Sequence, residues 1–269
     1  MKRIDICIDV HDLKHRISPD LYGIFFEDIN FSCDGGINAN VINNYSFDGI
    51  YYDEENQAAK EDPLRYWKIE NGNIESCSEK ALHANSKFAR IQVVGNTILY
   101  NQGYNGLQIH KKENAISIKR GHEYSFSCYI RSDFYSGTIT VGVKQKDKYL
   151  TDHVEITGGT DGWHQVTAEL MGMADGYGEF AVECDGSGIL DIDCIQFMDA
   201  DYWNRNDPKW KYSKLRKDIA EAIKELKPAF MRFPGGCIVE GLFPGNEYRW
   251  KNTIGELYER KSQYSLWGQ

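Results

Sequence analysis

The sequence of 269 residues has no long apolar run. No segment approaches the roughly 18 to 20 consecutive apolar residues that a transmembrane helix requires. The first residues, MKRIDICIDVHDL, are basic at the start, but Asp5, Asp9 and Asp12 interrupt the apolar stretch that a signal peptide would need. The sequence therefore predicts neither a membrane anchor nor secretion, and it predicts a cytoplasmic protein.

The sequence also lacks any pattern of paired cysteines. Its seven cysteines are scattered, and no two of them form a C-x-x-C motif. The odd number and the lack of a leader predict reduced thiols rather than disulfides. No group of histidines and cysteines has the spacing of zinc ligands. We therefore expect no metal and no cofactor.

The sequence has fewer basic than acidic residues. Lys and Arg total 31 against 40 Asp and Glu, so the formal net charge is −9. This balance argues against nucleic acid and anionic membranes as partners, and it suits a neutral ligand. Aromatic residues, in contrast, reach 13% and include 17 Tyr and 6 Trp. Such residues fit either sugar-stacking surfaces or the core of a β-rich protein.

Proline is scarce in the middle of the chain, where Pro63 precedes a long stretch without proline. From about Trp67 to Phe197 apolar and polar residues alternate, as in ARIQVV, AISIKR, YSFSCYIRS, GTITVGVKQ, HQVTAEL, GEFAVEC and GILDIDCIQF. Turn-forming stretches such as TGGTDG and CDGSG separate these segments. Short alternating strands at regular spacing predict a β-sandwich.

The flanking regions follow a different pattern. RIDICIDV and LYGIFF predict strands before the sandwich, and a loop rich in Gly and Asn follows them. After it, SKLRKDIAEAIKELKP predicts a helix that ends at Pro228, and AFMRF predicts a buried strand of a parallel sheet. The apolar positions of that helix share one face: Leu215, Ile219, Ala222, Ile223 and Leu226. The sequence therefore predicts an all-β domain, residues 63–200, inserted between two βα pieces, residues 1–62 and 201–269.

Three separated motifs occur in the order in which one enzyme family has them. ISPDLYGIFFEDIN with GGINANVINNYSFDG, then LRKDIAEAIKELKPAFMRFPGGCIVEG, then YRWKNTIG resemble the N-terminal part of the α-L-arabinofuranosidases of glycoside hydrolase family 51. The sandwich resembles the carbohydrate-binding-module-like domain that many of these enzymes carry. The resemblance implies a mainly β chain, in which a jelly-roll-like β-sandwich is inserted into the first βα unit of an incomplete (β/α)8 barrel. It covers essentially the whole chain but not the whole enzyme.

The resemblance also implies what chemistry this chain lacks. A retaining glycosidase needs two carboxyl groups about 5 to 5.5 Å apart. The family places its acid/base glutamate in a Gly-Asn-Glu motif after barrel strand four and its nucleophile after strand seven, and neither strand is in this sequence. PGNE, at 244–247, contains such a motif, but it lies just before YRWKNTIG, where the family has a connecting loop. We therefore assign no catalytic residue, and we expect the isolated chain to be inactive.

Three residues are carried over as substrate-binding candidates. Glu27 matches the family glutamate after the first barrel strand, which hydrogen-bonds arabinose hydroxyls, although a strand-end acid could also serve an ion pair. Arg232 matches the arginine before the Pro-Gly-Gly turn and could hold both Glu27 and a sugar hydroxyl. Cys237 follows that turn, where a small buried thiol is expected. Glu240 and Trp267 are further candidates for the same mouth.

Other interpretations of the sequence stay open. Trp67, Tyr104, Trp163 and Tyr177 could stack on a glycan, or they could simply pack within the sandwich. The chain could therefore be a non-catalytic carbohydrate-binding protein. It could also be a complementing or scaffold half that needs a second polypeptide. In every version the expected ligand is an arabinose-containing oligosaccharide or polysaccharide, and the open barrel strands predict self-association or a missing C-terminal portion.

Overall fold

The computed structural model describes residues 3–53, 55–83, 86–104, 115–132, 134–157, 161–210 and 214–265. The strands are β1 (Ile24–Phe25), β2 (Ile50–Asp53), β3 (Ala58–Glu61), β4 (Trp67–Cys77), β5 (Phe88–Asn101), β6 (Ile116–Ile118), β7 (Glu123–Arg131), β8 (Ser136–Gln145), β9 (Lys148–Tyr149), β10 (Val154–Thr157), β11 (His164–Met171), β12 (Gly176–Asp199) and β13 (Met231–Arg232). The α-helices are α1 (Lys217–Glu225) and α2 (Cys237–Glu240). Single helical turns cover Cys33–Ile37, Pro208–Trp210, Trp250–Thr253 and Leu257–Glu259. In the described residues no helix is long and apolar enough to span a membrane.

A large antiparallel sheet dominates the chain, so the predicted mainly β fold is confirmed. Its main path runs in the order β10-β8-β12-β5-β4. The long strand β12 pairs with β8 through its first half and with β7 through its second half. β11 then extends the layer beyond β7. Strand β12 therefore belongs to both halves of the sheet and joins them around one core.

Aromatic rings from facing strands form the centre of this core. Phe126 of β7 stacks on Phe180 of β12 with ring centroids 5.7 Å apart, and Phe180 contacts Phe197 at 5.5 Å. All three side chains are fully buried. Each buried side chain of this size contributes about 1.5–3 kcal/mol of hydrophobic stabilisation relative to exposure. The alternation in the sequence thus places one face of each strand into a shared core.

One predicted turn does not exist. CDGSG, which covers 184–188, lies within the continuous strand β12. Gly186 and Gly188 have φ of +126° and +128°, and a Cβ at either position would lie about 2 Å from a backbone oxygen, that of Ser136 or Phe134. These glycines therefore permit a neighbouring segment to approach closely, which is a second use of glycine in strands besides turn formation.

The two flanking pieces meet in a short parallel pair. β1 pairs with β13 in the register Ile24↔Met231 and Phe25↔Arg232. The Ile24 N–H donates to the carbonyl of Phe230 at 2.9 Å, and the Phe26 N–H donates to that of Arg232 at 3.0 Å. In the chain, the residues of the antiparallel sheet therefore come between β1 and β13, which are neighbours in space. The jelly-roll topology, the partial barrel and the domain boundaries stay predictions.

The flanks are less covered than the sequence predicts. RIDICIDV forms no strand among the described residues, and Ile4, Ile6 and Ile8 are between 81% and 84% exposed. AFMRF was predicted as a buried strand, but only Met231–Arg232 forms strand, and Phe230 is 53% exposed. Apolar patterns of this kind are buried only where a second layer packs against them. Within the described ranges β1 is the only strand paired with β13, so the other edge of β13 is unpaired, and both of its residues are exposed.

Helix α1 forms where the sequence predicts it but shows the same lack of cover. Its buried residue is Ala220, while Ile219 and Ile223 are only half-buried. Leu226, just after the helix, is 69% exposed. The predicted apolar stripe is therefore present in the sequence but only partly covered in the fold.

Candidate functional site

Glu27 and Arg232 lie at the same end of the parallel pair. Glu27 lies two residues after the end of β1, and Arg232 is the last residue of β13. Because β1 and β13 run in the same direction, their carboxyl ends meet at one edge. This is the edge where parallel sheets and barrels place their functional side chains. The glutamate is half-buried and the arginine is exposed.

The Pro-Gly-Gly turn is built around Glu27. The Glu27 Oε1 accepts a hydrogen bond from the Gly236 N–H at 3.0 Å. Gly235 has a φ of +137°, and a Cβ at this position would lie 2.4 Å from the Cγ of Glu27. Only glycine fits such a backbone so close to a side chain. The turn therefore orients the carboxylate through one oxygen and leaves the other oxygen for further contacts.

Arg232 does not pair with Glu27. Its guanidinium carbon lies 4.8 Å from the centroid of the Phe25 ring, a cation–π arrangement. Among the described residues no ion pair joins Arg232 to Glu27 or to another acid. Stacking on Phe25 of the neighbouring strand therefore takes the place of the anticipated ion pair, and the arginine is exposed.

The prediction that Cys237 is buried is wrong. The thiol was expected to be buried, but it is exposed. Cys237 opens α2, and Ile238 takes the buried position of this short helix. The following Glu240 is also exposed, and Trp267 lies outside the described residues. Cys237 therefore stands at the surface of the site as a small side chain.

The loop after Glu27 is held by residues that the sequence did not indicate. The Ser32 hydroxyl donates to the Glu27 carbonyl at 2.5 Å and accepts the Ile29 N–H at 3.0 Å. The carboxylate of Asp28 accepts the Cys33 N–H at 3.2 Å, and burial raises the pKa of this carboxyl. The Ser and Asp after the strand are a turn-forming pattern that could have indicated these contacts.

Glu247, in the PGNE stretch, has the electrostatics of a turn residue. Its Oε1 accepts the Gly245 N–H at 3.0 Å, and this backbone hydrogen bond lowers the pKa of the carboxyl. A general acid at neutral pH needs a raised pKa instead. The structure therefore gives no support for assigning Glu247 as the acid/base.

Most of the aromatic candidates of the sandwich are packed. Trp67 is buried, with its ring 4.8 Å from that of Phe47. Trp163 donates its indole N–H to the Lys80 carbonyl at 2.9 Å. Tyr104 is half-buried against Phe31, and Tyr177 is 50% exposed.

Several known α-L-arabinofuranosidases are similar to this chain in sequence or in fold. A family model described as the alpha-L-arabinofuranosidase 1 domain matches residues 222–269. An extracellular exo-α-L-arabinofuranosidase of Streptomyces chartreusis is 29% identical over 98% of this chain and 31% of the relative. Alpha-L-arabinofuranosidase 2 of Arabidopsis thaliana is 25% identical over 97% of this chain and 38% of the relative. A solved, arabinose-bound family 51 α-L-arabinofuranosidase matches with a TM-score of 0.77 and 25% identity, over 95% of this chain and 40% of that one.

These findings confirm the resemblance that the motifs indicated. The matches cover nearly all of this chain, which spans 31% to 38% of the length of these two curated relatives. The fold is similar to part of that solved α-L-arabinofuranosidase and contains a large antiparallel sheet. The chain is similar over nearly its whole length to family 51 α-L-arabinofuranosidases, which supports its interpretation as an N-terminal portion of such a protein.

Proposed function

We propose that this chain supplies one wall of the arabinofuranose site of a retaining α-L-arabinofuranosidase. The complete enzyme would release terminal arabinofuranose from arabinoxylan or arabinan. In this proposal Glu27 accepts hydrogen bonds from sugar hydroxyls through its outward oxygen, and Arg232 donates to the same ring. Cys237 lies beside them as a small side chain in contact with the sugar.

One observation carries this proposal: the carboxylate of Glu27 is fixed by the Gly236 N–H at the carboxyl edge of a parallel strand pair. A carboxylate held in this way has less rotational freedom to lose when a sugar binds. Its hydrogen bonds to hydroxyls are charge-assisted and therefore stronger than neutral ones. Arg232 adds donors on the adjacent strand, so the edge offers both an acceptor and a donor to one ring.

We further propose that the isolated chain does not catalyse hydrolysis. The lowered pKa of Glu247 speaks against a general acid at the PGNE stretch. Cleavage with retention also needs a second carboxyl group as nucleophile. A cytoplasmic location belongs to the same proposal, and the seven free cysteines support it.

Binding of L-arabinose to the purified chain, measured by titration calorimetry, tests the role of Glu27. Glu27→Gln keeps the acceptor for the Gly236 N–H but removes the charge, so we expect the affinity to fall about tenfold or more. Glu225→Gln, at the exposed end of α1, is the matched control and should bind as the wild type does. Equal affinity in the two variants would remove Glu27 from the site.

An assay with an aryl α-L-arabinofuranoside tests the missing chemistry. We expect no turnover by the purified chain. Turnover that disappears in Glu27→Ala would show that an acid pair within these residues performs the reaction, and the proposed division of the enzyme would then be wrong.

A complementing half that needs a second polypeptide is the alternative that a specific observation favours. The apolar side chains at β13 and after α1 are open to solvent, with Leu226 69% and Met231 49% exposed. Exposed apolar surface of this extent usually marks a contact with another segment or protein.

A further inference from the structure

A cavity of about 920 Å³ lies where three parts of the chain meet. The loop after β1, the second half of β12 and the segment 245–265 each contribute to its wall. Asp28 and Phe233 line its rim, directly next in sequence to Glu27 and Arg232. This volume lies within the range of about 300–1,000 Å³ that is usual for small-molecule sites.

Two residues of this wall each have a buried side-chain atom that lacks the partner such groups normally have. Among the described residues the buried side-chain atoms without a hydrogen bond are Oδ2 of Asp193 and Nη1 of Arg65. Both residues line the same cavity. Asp193 is only 1% exposed, and its other oxygen accepts the Cys194 N–H at 2.7 Å. Unpaired buried polar groups are rare in folded proteins, and each one requires an explanation.

The backbone departs from regular strand geometry where it presents Asp193. The pairing of β12 with β7 shifts its register between Asp193 and Gln196. Cys194, inside this bulge, has a φ of +49°, which is uncommon for a residue other than glycine. Bulges of this kind redirect side chains and often lie beside functional sites. The strand thus interrupts its ladder next to Asp193, a residue that lines the cavity.

The charges around the cavity favour a neutral ligand. Its lining contains five acids, which are Asp28, Asp34, Asp48, Asp193 and Glu247, and four bases, which are Arg65, Arg249, Arg260 and Lys261. An anion would meet carboxylates such as that of Glu247, and a cation would meet Arg65. No group of metal-binding side chains occurs within the described ranges.

Hydroxyl groups suit both orphaned atoms. Burial raises the pKa of Asp193 to about 8, so at neutral pH its carboxyl is largely uncharged and can both donate and accept. A hydroxyl can also accept a hydrogen bond from the guanidinium of Arg65. The rings of Tyr45 and Tyr104 line the same space, and aromatic faces of this kind can pack against the apolar face of a sugar ring.

We propose that this cavity binds a neutral, hydroxyl-rich ligand of the size of a short oligosaccharide. Both atoms are buried in the ligand-free fold, so binding requires a side-chain rotation that brings Oδ2 of Asp193 to one ligand hydroxyl and Nη1 of Arg65 to another. The site is separate from the Glu27 contact, and it rests on the proposed function only for the choice of sugar as the probe.

Calorimetric titration of the purified chain with linear arabinotriose tests this site. Arg65→Met keeps the apolar stem but removes the donors, and Asp193→Asn keeps the acceptor for the Cys194 N–H but changes Oδ2. We expect each variant to bind about tenfold more weakly than the wild type. Arg120→Met and Asp185→Asn replace exposed side chains outside the cavity, and they should bind as the wild type does. Circular dichroism confirms the fold of each variant, and either cavity variant alone is sufficient for the comparison.

Several results would overturn the proposal. These are no binding by the wild type, unchanged affinity in the cavity variants, or equally tight binding of trigalacturonate, which is anionic. A crystal structure grown with arabinotriose that shows ordered water alone on both atoms would also overturn it. Glu27→Gln separates the two sites. Binding that survives this change but is lost in Arg65→Met supports the cavity even if the proposed role of Glu27 fails, and the opposite pattern rejects the cavity.

Discussion

At the scale of single residues, Gly235 shows how closely backbone and side chain meet at the proposed sugar edge. A Cβ here would lie 2.4 Å from Cγ of Glu27, and φ is +137°. We expect Gly235→Ala to displace Glu27, to cost about 1–3 kcal/mol of local stability, and to speed hydrogen exchange at the Gly236 amide. Gly245→Ala is the control, because its φ is +96° but no atom lies within 4 Å of its Cβ position. Equal exchange at the Gly236 amide in both variants would contradict this.

Asp193 is the residue whose titration should affect the stability of the fold. Its pKa is raised by burial and by the nearby charge of Asp48 to about 8, from 3.8 in an unfolded chain. The folded state therefore binds more protons than the unfolded state between these values, so the free energy of unfolding must fall as pH rises from about 4 to 8. The slope from this group is at most about 1.4 kcal/mol per pH unit.

Urea unfolding at a series of pH values measures this effect. Asp193→Asn should flatten the dependence above about pH 4 and leave the variant more stable than the wild type near pH 8. Asp185→Asn, on the exposed part of β12, should keep the wild-type slope. A wild-type slope in Asp193→Asn would show that other buried acids, such as Asp28 and Asp48, cause the dependence.

At the scale of elements, the sequence predicted what depends on local periodicity. Alternation located strands such as β5, β7 and β8, and the helical spacing of Ile219 and Ile223 located α1. It failed at CDGSG, because glycine serves both turns and close approach. The carbonyls of Ser136 and Phe134, far away in the sequence, decide between these two uses. The site followed the same division: the motifs located Glu27 and Arg232, whereas tertiary packing alone brings Arg65 and Asp193 to one cavity.

Two ion pairs that share the buried Asp191 connect three strands of the sheet. Asp191 of β12 accepts from Arg90 of β5 at 2.8 and 3.0 Å and from Arg131 of β7 at 2.6 and 3.0 Å. Asp191 and Arg131 are 4% and 7% exposed. Asp191→Ala would leave a buried guanidinium without its partner, so we expect a loss of about 3–5 kcal/mol in the free energy of unfolding.

Urea unfolding also measures this loss, with Asp201→Ala as its control. Asp201 pairs with Lys217 at 2.7 Å, but both side chains are well exposed. A pair of this kind contributes at most about 1 kcal/mol. Similar losses in the two variants would mean that water reaches Asp191 and that the three strands are held by packing alone.

At the scale of the whole molecule, the antiparallel sheet and the flanking pieces differ in how well they are supported. The sheet has its own buried core, whereas β1 and β13 contribute two residues each and expose apolar side chains. Regions with few buried contacts open at lower free energy than the core of a fold. We therefore infer that the sugar edge at Glu27 is the less stable part of this chain and that added cover would order it.

The exposed apolar side chains before β1 predict self-association of the chain. Ile4, Ile6 and Ile8 are alternate residues of a segment that forms no strand here, and each is more than 80% exposed. Alternate residues lie on one face when such a segment becomes a strand, and an open strand pairs readily with another. Sedimentation velocity should show association that increases with protein concentration. Replacing all three isoleucines by serine should weaken the association about tenfold or more, because each substitution removes about 1 kcal/mol or more of apolar burial.

Phe134→Ser provides the control for this series, because Phe134 is 79% exposed in the connection between β7 and β8. It should associate as the wild type does. If the wild type remains monomeric at all concentrations, the three isoleucines are stable while exposed to water, and the flanking pieces need no partner. If the serine variant alone is monomeric, the segment before β1 is the contact through which the chain recruits a second strand. In that case the alternation read from the sequence describes a strand that forms only with a partner.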